Sequence, residues 1–232
     1  METDKLYKYL DFNGGLMMLH YSNLQFTNAT QLNDPFDCHP SLIDFSNVPQ
    51  EACGGWTSEI IEELERDPFR RTREEVWICS LSKIHDSILM WSYYSKHKGI
   101  CIGLDMEKAQ KYLSKIQGKI MIGCSEVEIQ YKDIVEKPDY FRNAKDFFHY
   151  QLSTKAKAWE HEQEVRLFIL DPSPTYMALL PDQNDDKGPI DRKEVRAFSK
   201  IEGECFESVY LGINMNTCLL YTSDAADEAR SV

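Results

Sequence analysis

The chain has 232 residues, a formal net charge of −12 and 42% hydrophobic residues. This composition is typical of a globular protein with a substantial core, and the acidic balance argues against general binding to nucleic acid or to anionic membranes. No apolar run reaches the roughly 20 residues of a bilayer span, and the N-terminus is charged where a secretory signal is apolar, so we expect a cytoplasmic protein.

The first half of the sequence predicts mostly strands. A strand is expected over 4–10, with Tyr7 and Tyr9 on one face, and β-forming residues follow a Gly-Gly pair through 15–32. Apolar residues on one side of 57–67 predict a surface helix. The apolar runs 75–82 and 100–105 predict two buried strands, joined by a short helix that ends at Gly99 as its C-cap.

The second half adds helices at 106–116 and 139–159, the latter expected to be the longest of the chain. Strands are predicted at 126–131, 164–170, 195–200 and 208–213, and the segment 171–194, rich in Pro, Asp and Gly, is expected to be an exposed insertion. Strands outnumber helices without regular alternation. We therefore predict one α+β domain over 1–217, with a mixed or antiparallel sheet and flanking helices.

The last residues need separate treatment. Residues 218–228, CLLYTSDAADE, resemble the translation of a transposase-based sequencing adapter. We expect 218–232 to be non-native and a C-terminal element of the domain to be missing. The alternative is a genuine C-terminal helix, with which the small residues of this stretch are compatible.

The stretch NDPFDC at 33–38 follows a predicted strand and admits two interpretations. It is a turn in which Asn33 or Asp34 bonds to the local backbone, Pro35 fixes φ and Phe36 enters the core. Alternatively, Asn33, Asp34 and Asp37 are presented at the end of a strand to orient a hydroxylated ligand or a cation.

Two further stretches concentrate polar and aromatic side chains. Ser80 lies near the end of a predicted strand, and Trp91 and Tyr94 lie on the helix that follows, where the polar tips of the aromatic residues need partners. In the block KAWEHEQEVRL, the acidic residues Glu160, Glu162 and Glu164 recur at every second position before Arg166. An extended block places these like charges on one face, whereas a helical block makes Glu162 and Arg166 an ordinary surface pair.

Several familiar sites are not supported. The sequence has no dinucleotide-binding G-x-G-x-x-G, no phosphate-binding P-loop and no G-x-S-x-G nucleophile elbow. Seven cysteines form no CxxC pair, so no metal ligands are predicted.

Taken in order, the motifs LYKYL, LQFTNATQLNDPFDC, VWICSLS, MWSYYSKHKGICIGLD, EIQY, KAWEHEQEVRL and VYLGI resemble the bacterial domain of unknown function 2971 family across roughly residues 6 to 215. The resemblance joins three separated polar blocks into one signature. Its residues are Asn33, Asp34, Pro35, Phe36, Asp37, Met90, Trp91, Tyr94, Lys98, Gly99, Trp159, Glu162, Glu164 and Arg166. It implies a shared site but names no reaction.

Two hypotheses of function follow. The first is a transferase with a nucleotide cofactor such as NAD, similar to the ADP-ribosyltransferases, in which Tyr7 (with Tyr9), Ser80 and Glu162 or Glu164 take the places of the aromatic, hydroxyl and catalytic carboxylate residues. The second is a non-catalytic module that binds a small-molecule or nucleotide ligand, or interacts with a partner, in a mobile-element or phage-defence setting. A magnesium-dependent nuclease is a weaker third alternative.

Overall fold

The structure is a computed structural model that describes residues 5–48, 57–113, 124–143, 146–170 and 196–215. The helices are α1 (Phe12–Tyr21), α2 (Ser58–Phe69), α3 (Ile88–Ser95), α4 (Met106–Leu113) and α5 (Phe147–Ser153). The strands are β1 (Lys5–Leu10), β2 (Asn23–Asn28), β3 (Val76–Ser82), β4 (Ile100–Asp105), β5 (Cys124–Glu128), β6 (Gln130–Lys132), β7 (Thr154–Ala156), β8 (Glu164–Leu170), β9 (Arg196–Lys200) and β10 (Phe206–Leu211). The expected insertion at 171–194 and the tail at 218–232 lie outside the described residues.

An eight-stranded antiparallel sheet organises the chain. Its main path runs β10-β4-β1-β3-β2-β9, and β8 pairs with both β3 and β5. A separate parallel pair joins β6 to β7. The predicted α+β class with a largely antiparallel sheet is therefore confirmed. Of the helices in the described ranges, none combines the length and the apolar composition that a membrane span requires.

The pairing around β3 leaves an opening in the sheet. One edge of β3 pairs with β8 along its whole length, from Val76 to Ser82. On the other edge, β1 pairs only at Ser82 and β2 only at Trp77 and Ile78. Among the described strands, none pairs with the middle of this edge, so β1 and β2 diverge on either side of Ser80.

Most of the core lies on the sheet face covered by α1 and α4. It includes Leu24, Phe26, Ile102, Leu104 and other fully buried side chains. A smaller aromatic cluster around Tyr9 and Met90 lies where α3 packs near β1 and β4. Burial alternates along β2, whereas β3 is buried on both faces at nearly every position, as in a central strand.

The prediction of β structure throughout 15–32 was wrong for its first part, which is the C-terminal portion of α1. The Asp11 carboxylate accepts the Gly14 N–H at 2.7 Å and caps the helix start. Gly15 lies against Ile100, where a Cβ would come within 2.8 Å of the isoleucine Cβ. Gly15 therefore permits close packing of α1 against β4 instead of breaking the chain.

The predicted long helix over 139–159 was also wrong. Asp146 caps the short helix α5, whose chain passes into β7 at Thr154 and then into a 3-10 helix over Lys157–Glu162. The residues whose apolar spacing predicted one helix are divided among α5, β7 and the 3-10 helix. The pairing of β7 with β6 interrupts the helix. The strand predicted over 126–131 is divided between β5 and β6.

The sequence predicts Gly99 as the C-cap of α3, and this prediction was wrong. The C-cap is Lys96, in the left-handed conformation at φ 53°. Gly99 instead allows a close approach to β1, since an added Cβ would lie 2.0 Å from the Leu10 carbonyl oxygen. A backbone atom cannot rotate away as a side chain can.

Gly99→Ala is expected to lower the free energy of unfolding by about 1–3 kcal/mol, as overpacking against fixed atoms does. Gly203→Ala is the matched control, because no atom lies within 4 Å of its added Cβ. Urea denaturation followed by circular dichroism measures both variants. Equal stabilities of the two variants would contradict the close approach at Gly99.

Candidate ligand-binding site

The segment 33–38 combines a local turn, formed by Asp34, with a side chain that enters the candidate site, Asp37. The Asp34 carboxylate accepts the Phe36 N–H at 2.9 Å, which is a local turn bond. The Asp37 side chain instead turns inward and is buried. Phe36 was expected to enter the core if the segment is a turn, but its exposed fraction is 69% because the turn points it outward.

Arg166 is the centre of a buried ionic network. Its Nε and Nη2 donate to Glu164 at 2.8 and 3.0 Å, and its Nη1 and Nη2 donate to Asp37 at 2.8 and 2.5 Å. Nη1 also donates to the Leu152 carbonyl at 3.0 Å. A guanidinium has five N–H donors, and these five bonds account for all of them. Arg166 therefore ties β8 to the turn after β2 and to α5.

Lys155 supplies the second buried cation. It lies on β7, and its Nζ donates to Glu162 at 2.6 Å and to Glu164 at 3.1 Å. Asp37 lies 3.6 Å away, and the Trp159 ring centroid is 5.0 Å from Nζ. Three buried carboxylates are thus held by two buried cations, and the like charges in the acidic block are compensated from within the chain.

Glu162 connects this network to α3. The Tyr94 hydroxyl donates to Glu162 Oε1, and the Asn33 amide donates to the Tyr94 hydroxyl at 3.1 Å. The Ser82 hydroxyl fixes the Glu162 backbone by donating to its carbonyl at 2.7 Å. The chain turns between the two glutamates at Gln163, where φ is 42°. Glu162 thus ends the 3-10 helix while Glu164 begins β8.

The ionisation of the network follows from competition between burial and charge. Burial alone would raise the pKa of Glu164, but Arg166 and Lys155, with hydrogen bonds from Arg166 and Ser80, hold that pKa well below its usual range. Burial alone would lower the pKa of Lys155, but the charges of Glu164 and Asp37 raise it instead. Burial, with the Glu162 charge and hydrogen bond, raises the pKa of Tyr94, which therefore keeps its proton at neutral pH.

A cavity of about 290 Å³ opens beside this network, at the place where β1 and β2 diverge. Its wall combines aromatic rings, hydroxyls and the ionic groups. This volume is near the lower end of the roughly 300–1,000 Å³ that is typical of small-molecule sites.

The structure brings together most of the side chains that the sequence predicted as site residues. Those that line the cavity are Tyr7, Tyr9, Asn33, Asp37, Ser80, Tyr94, Glu162 and Glu164. Arg166 does not line it and supports the carboxylates from behind. Trp91 is also absent from the lining, because its indole N–H donates to the His85 carbonyl at 2.9 Å and its ring packs edge-on to Tyr9.

Asp34 and Phe36 line a second cavity, of about 340 Å³, together with Trp159. Asp37 and Lys155 border both cavities and separate them. Among the residues that the structure describes, no group of three or more His, Cys, Asp or Glu side chains is placed to hold a metal ion.

Sequence reasoning did not identify Lys155, Lys8 or Ser82 as site residues. The sequence does not distinguish the buried Lys155 from Lys157, a surface lysine two positions later. Ser82 shares alternation with Ser80 along β3 and could have been included on that ground.

The comparison with protein families locates part of this site in a known sequence family. Residues 90–167 match the model of the family described as Protein of unknown function (DUF2971). Residues 90–167 belong to this family. The DUF2971 segment contains Tyr94, Lys155, Glu162, Glu164 and Arg166, and the resemblance drawn from its motifs is confirmed there.

The NDPFD turn and β1 precede the DUF2971 segment, so the cavity is completed by residues outside it. The searches of curated proteins and of solved structures returned no match.

Arg166→Met is expected to lower the free energy of unfolding by about 3–5 kcal/mol, since it leaves two buried carboxylates without their main cation. Arg142→Met is the control, because the Arg142 side chain is 73% exposed and pairs with Asp139 at 3.6 Å. Chemical denaturation at pH 7 measures both. A loss below about 1 kcal/mol for Arg166→Met would show that the network does not hold these segments together.

Acid should weaken the fold through Glu164. Its folded pKa lies below the ordinary value of 4.5, so its stabilising contribution is complete above that value and is lost as the pH falls through the folded pKa. We expect Glu164→Gln to be less stable than the wild type at pH 7 but to lose less stability between pH 5 and pH 2. Denaturation curves across this range test it, with Glu128→Gln, at an exposed position, as control. Parallel acid profiles for wild type and Glu164→Gln would contradict it.

Proposed function

We propose that the chain is a transferase for a nucleotide cofactor, similar in chemistry to the ADP-ribosyltransferases, and that the nicotinamide–ribose half of NAD enters the 290 Å³ cavity. The observation that carries this proposal is the convergence of three distant stretches on one cavity. Tyr7 from β1, Ser80 from β3 and Glu162 from the turn before β8 all line it.

The groups present suit the breaking of a glycosidic bond. Tyr7 and Tyr9 offer rings against which a nicotinamide ring can pack. When the bond between C1′ and the nicotinamide nitrogen breaks, the nitrogen keeps the electron pair and positive charge develops on the ribose. The carboxylate of Glu162 stabilises that charge. An acceptor then forms a bond to C1′ and releases its proton; with water as acceptor, the products are ADP-ribose and nicotinamide.

Glu162 is held for this role by its neighbours. Each of its carboxylate oxygens accepts one hydrogen bond, from Tyr94 or from Lys155. A carboxylate has about four acceptor positions, so each oxygen retains one for a ribose hydroxyl. The bonds from Lys155 and Tyr94 limit the rotation of the group.

The same two bonds favour a second candidate, a non-catalytic ligand-binding module of a mobile-element or phage-defence system. A carboxylate already bonded to a lysine and a tyrosine is a weaker stabiliser of positive charge than a free one. A network satisfied internally stabilises the fold without any reaction. In this alternative the cavity binds its ligand and releases it unchanged.

Nicotinamide release from NAD, measured by liquid chromatography with the intact protein, tests the transferase. Glu162→Gln is expected to lower the rate by about 100-fold or more, as loss of a charge-stabilising group does. Glu160→Gln, an exposed position on the same 3-10 helix, should leave the rate unchanged. Circular dichroism confirms that each variant is folded.

The outcomes separate the two candidates. Binding of nicotinamide mononucleotide without turnover would support the non-catalytic module and reject the transferase. Turnover that Glu162→Gln leaves intact would remove Glu162 from the reaction.

A further inference from the structure

Lys8 is a cation in the cavity wall with no ionic partner in the described part of the chain. Its Nζ donates to the Ser80 carbonyl at 2.8 Å, and its side chain is half-buried. The ion pairs formed among the described residues do not include it. Lys155, by contrast, lies within ion-pair distance of three carboxylates. An ammonium has three N–H donors; the Ser80 carbonyl accepts one and the Cys79 side chain is a second partner, so one donor remains for another group.

The opening in the sheet gives Lys8 access to the cavity. Because side chains alternate along a strand, Lys8 leaves β1 on the face opposite to Tyr7 and Tyr9. All three nevertheless line the same cavity. Since β1 pairs with β3 only at Ser82, the ammonium reaches the Ser80 carbonyl through the unpaired stretch between these strands.

The cavity wall has charged groups in two places, the ionic network around Arg166 and Lys155 and the single cation Lys8. The ionic network contains three carboxylates and two cations, so it carries a net charge of −1 when all are ionised. Lys8 carries the opposite charge at the opening between β1 and β3. A partly desolvated charge without a counter-charge is unfavourable, and an anionic group brought by a ligand would offset that cost.

We infer that Lys8 binds an anionic group of the ligand, which for a ligand of the nucleotide class is the phosphate on the ribose. This inference deepens the proposed function and depends on it for the identity of the ligand. The hydroxyl groups and the cationic ring of the same ligand face Glu162 and the tyrosines. Lys8 thereby selects a phosphorylated nucleoside over the free nucleoside.

The test compares nicotinamide mononucleotide with nicotinamide riboside, which differ by one phosphate, by isothermal titration calorimetry on the full chain. The wild type should bind the mononucleotide about tenfold or more tightly than the riboside, in line with a charge-assisted hydrogen bond. Lys8→Gln should abolish this preference while changing the affinity for the riboside by no more than about twofold. Lys8→Arg, which retains the charge, should keep part of the preference.

Lys5→Gln is the matched control, because Lys5 lies on the same strand and pairs at the surface with Glu207 at 2.6 Å. It makes the same change of charge outside the cavity and should bind both compounds as the wild type does. Thermal unfolding of each variant checks that the bond from Lys8 to Ser80 is not essential for folding.

The results distinguish this inference from the proposed function. Equal affinities of the wild type for both compounds, or an equal loss for both in Lys8→Gln, would overturn the role of Lys8 while leaving nucleotide binding in place. If neither compound binds, the proposed function fails, and inorganic pyrophosphate becomes the probe. Pyrophosphate binding that Lys8→Gln removes would support an anion site at Lys8, and its absence would overturn one.

Discussion

The buried guanidinium of Arg166 is the interaction on which the rest of this structure depends. It donates to Asp37 from the turn after β2, to Glu164 on its own strand and to the Leu152 carbonyl at the end of α5. Asp37 is far from the other two segments in sequence, and all three segments also meet in a hydrophobic cluster that contains Cys38, Leu152 and Phe168. With all of its donors satisfied, Arg166 provides the geometry in which burying such a charge is tolerable. Removal of either carboxylate would leave the cation partly uncompensated.

The site follows from this network and from the divided sheet. Because β1 and β2 pair with opposite ends of β3, a space remains beside Ser80, and the ionic groups form its polar side. Lys155 bonds to Glu162 and so joins it to the network, and Tyr94 donates a second hydrogen bond to the same carboxylate. Glu162 lines the cavity. The carboxylates are therefore fixed in position before any ligand arrives. Preorganised charge of this kind is what both binding and catalysis require.

The sequence predicted much of the fold because strand alternation and apolar runs are local signals. It predicted β3, β4 and β8 closely. The grouping of Asp37, Tyr94, Glu162 and Arg166 into one signature came from the family resemblance. The long helix over 139–159 was wrong because a helical apolar spacing was compatible with three shorter elements, whose identity depends on the pairing of β7 with β6. Lys155 was missed for the same reason, since its burial is a consequence of tertiary contacts. The access of Lys8 to the cavity depends on the gap in strand pairing, which no local pattern in the sequence predicts.

We propose that the network shapes a cavity for a phosphorylated nucleoside. The most direct measurement is a crystal structure of the protein grown with nicotinamide mononucleotide. We expect the compound in the space between β1 and β3, with its ribose hydroxyls on Glu162, its phosphate on Lys8, and Arg166 still bonded to Asp37 and Glu164. An empty cavity at saturating compound, or a compound bound away from Glu162 and Lys8, would contradict it.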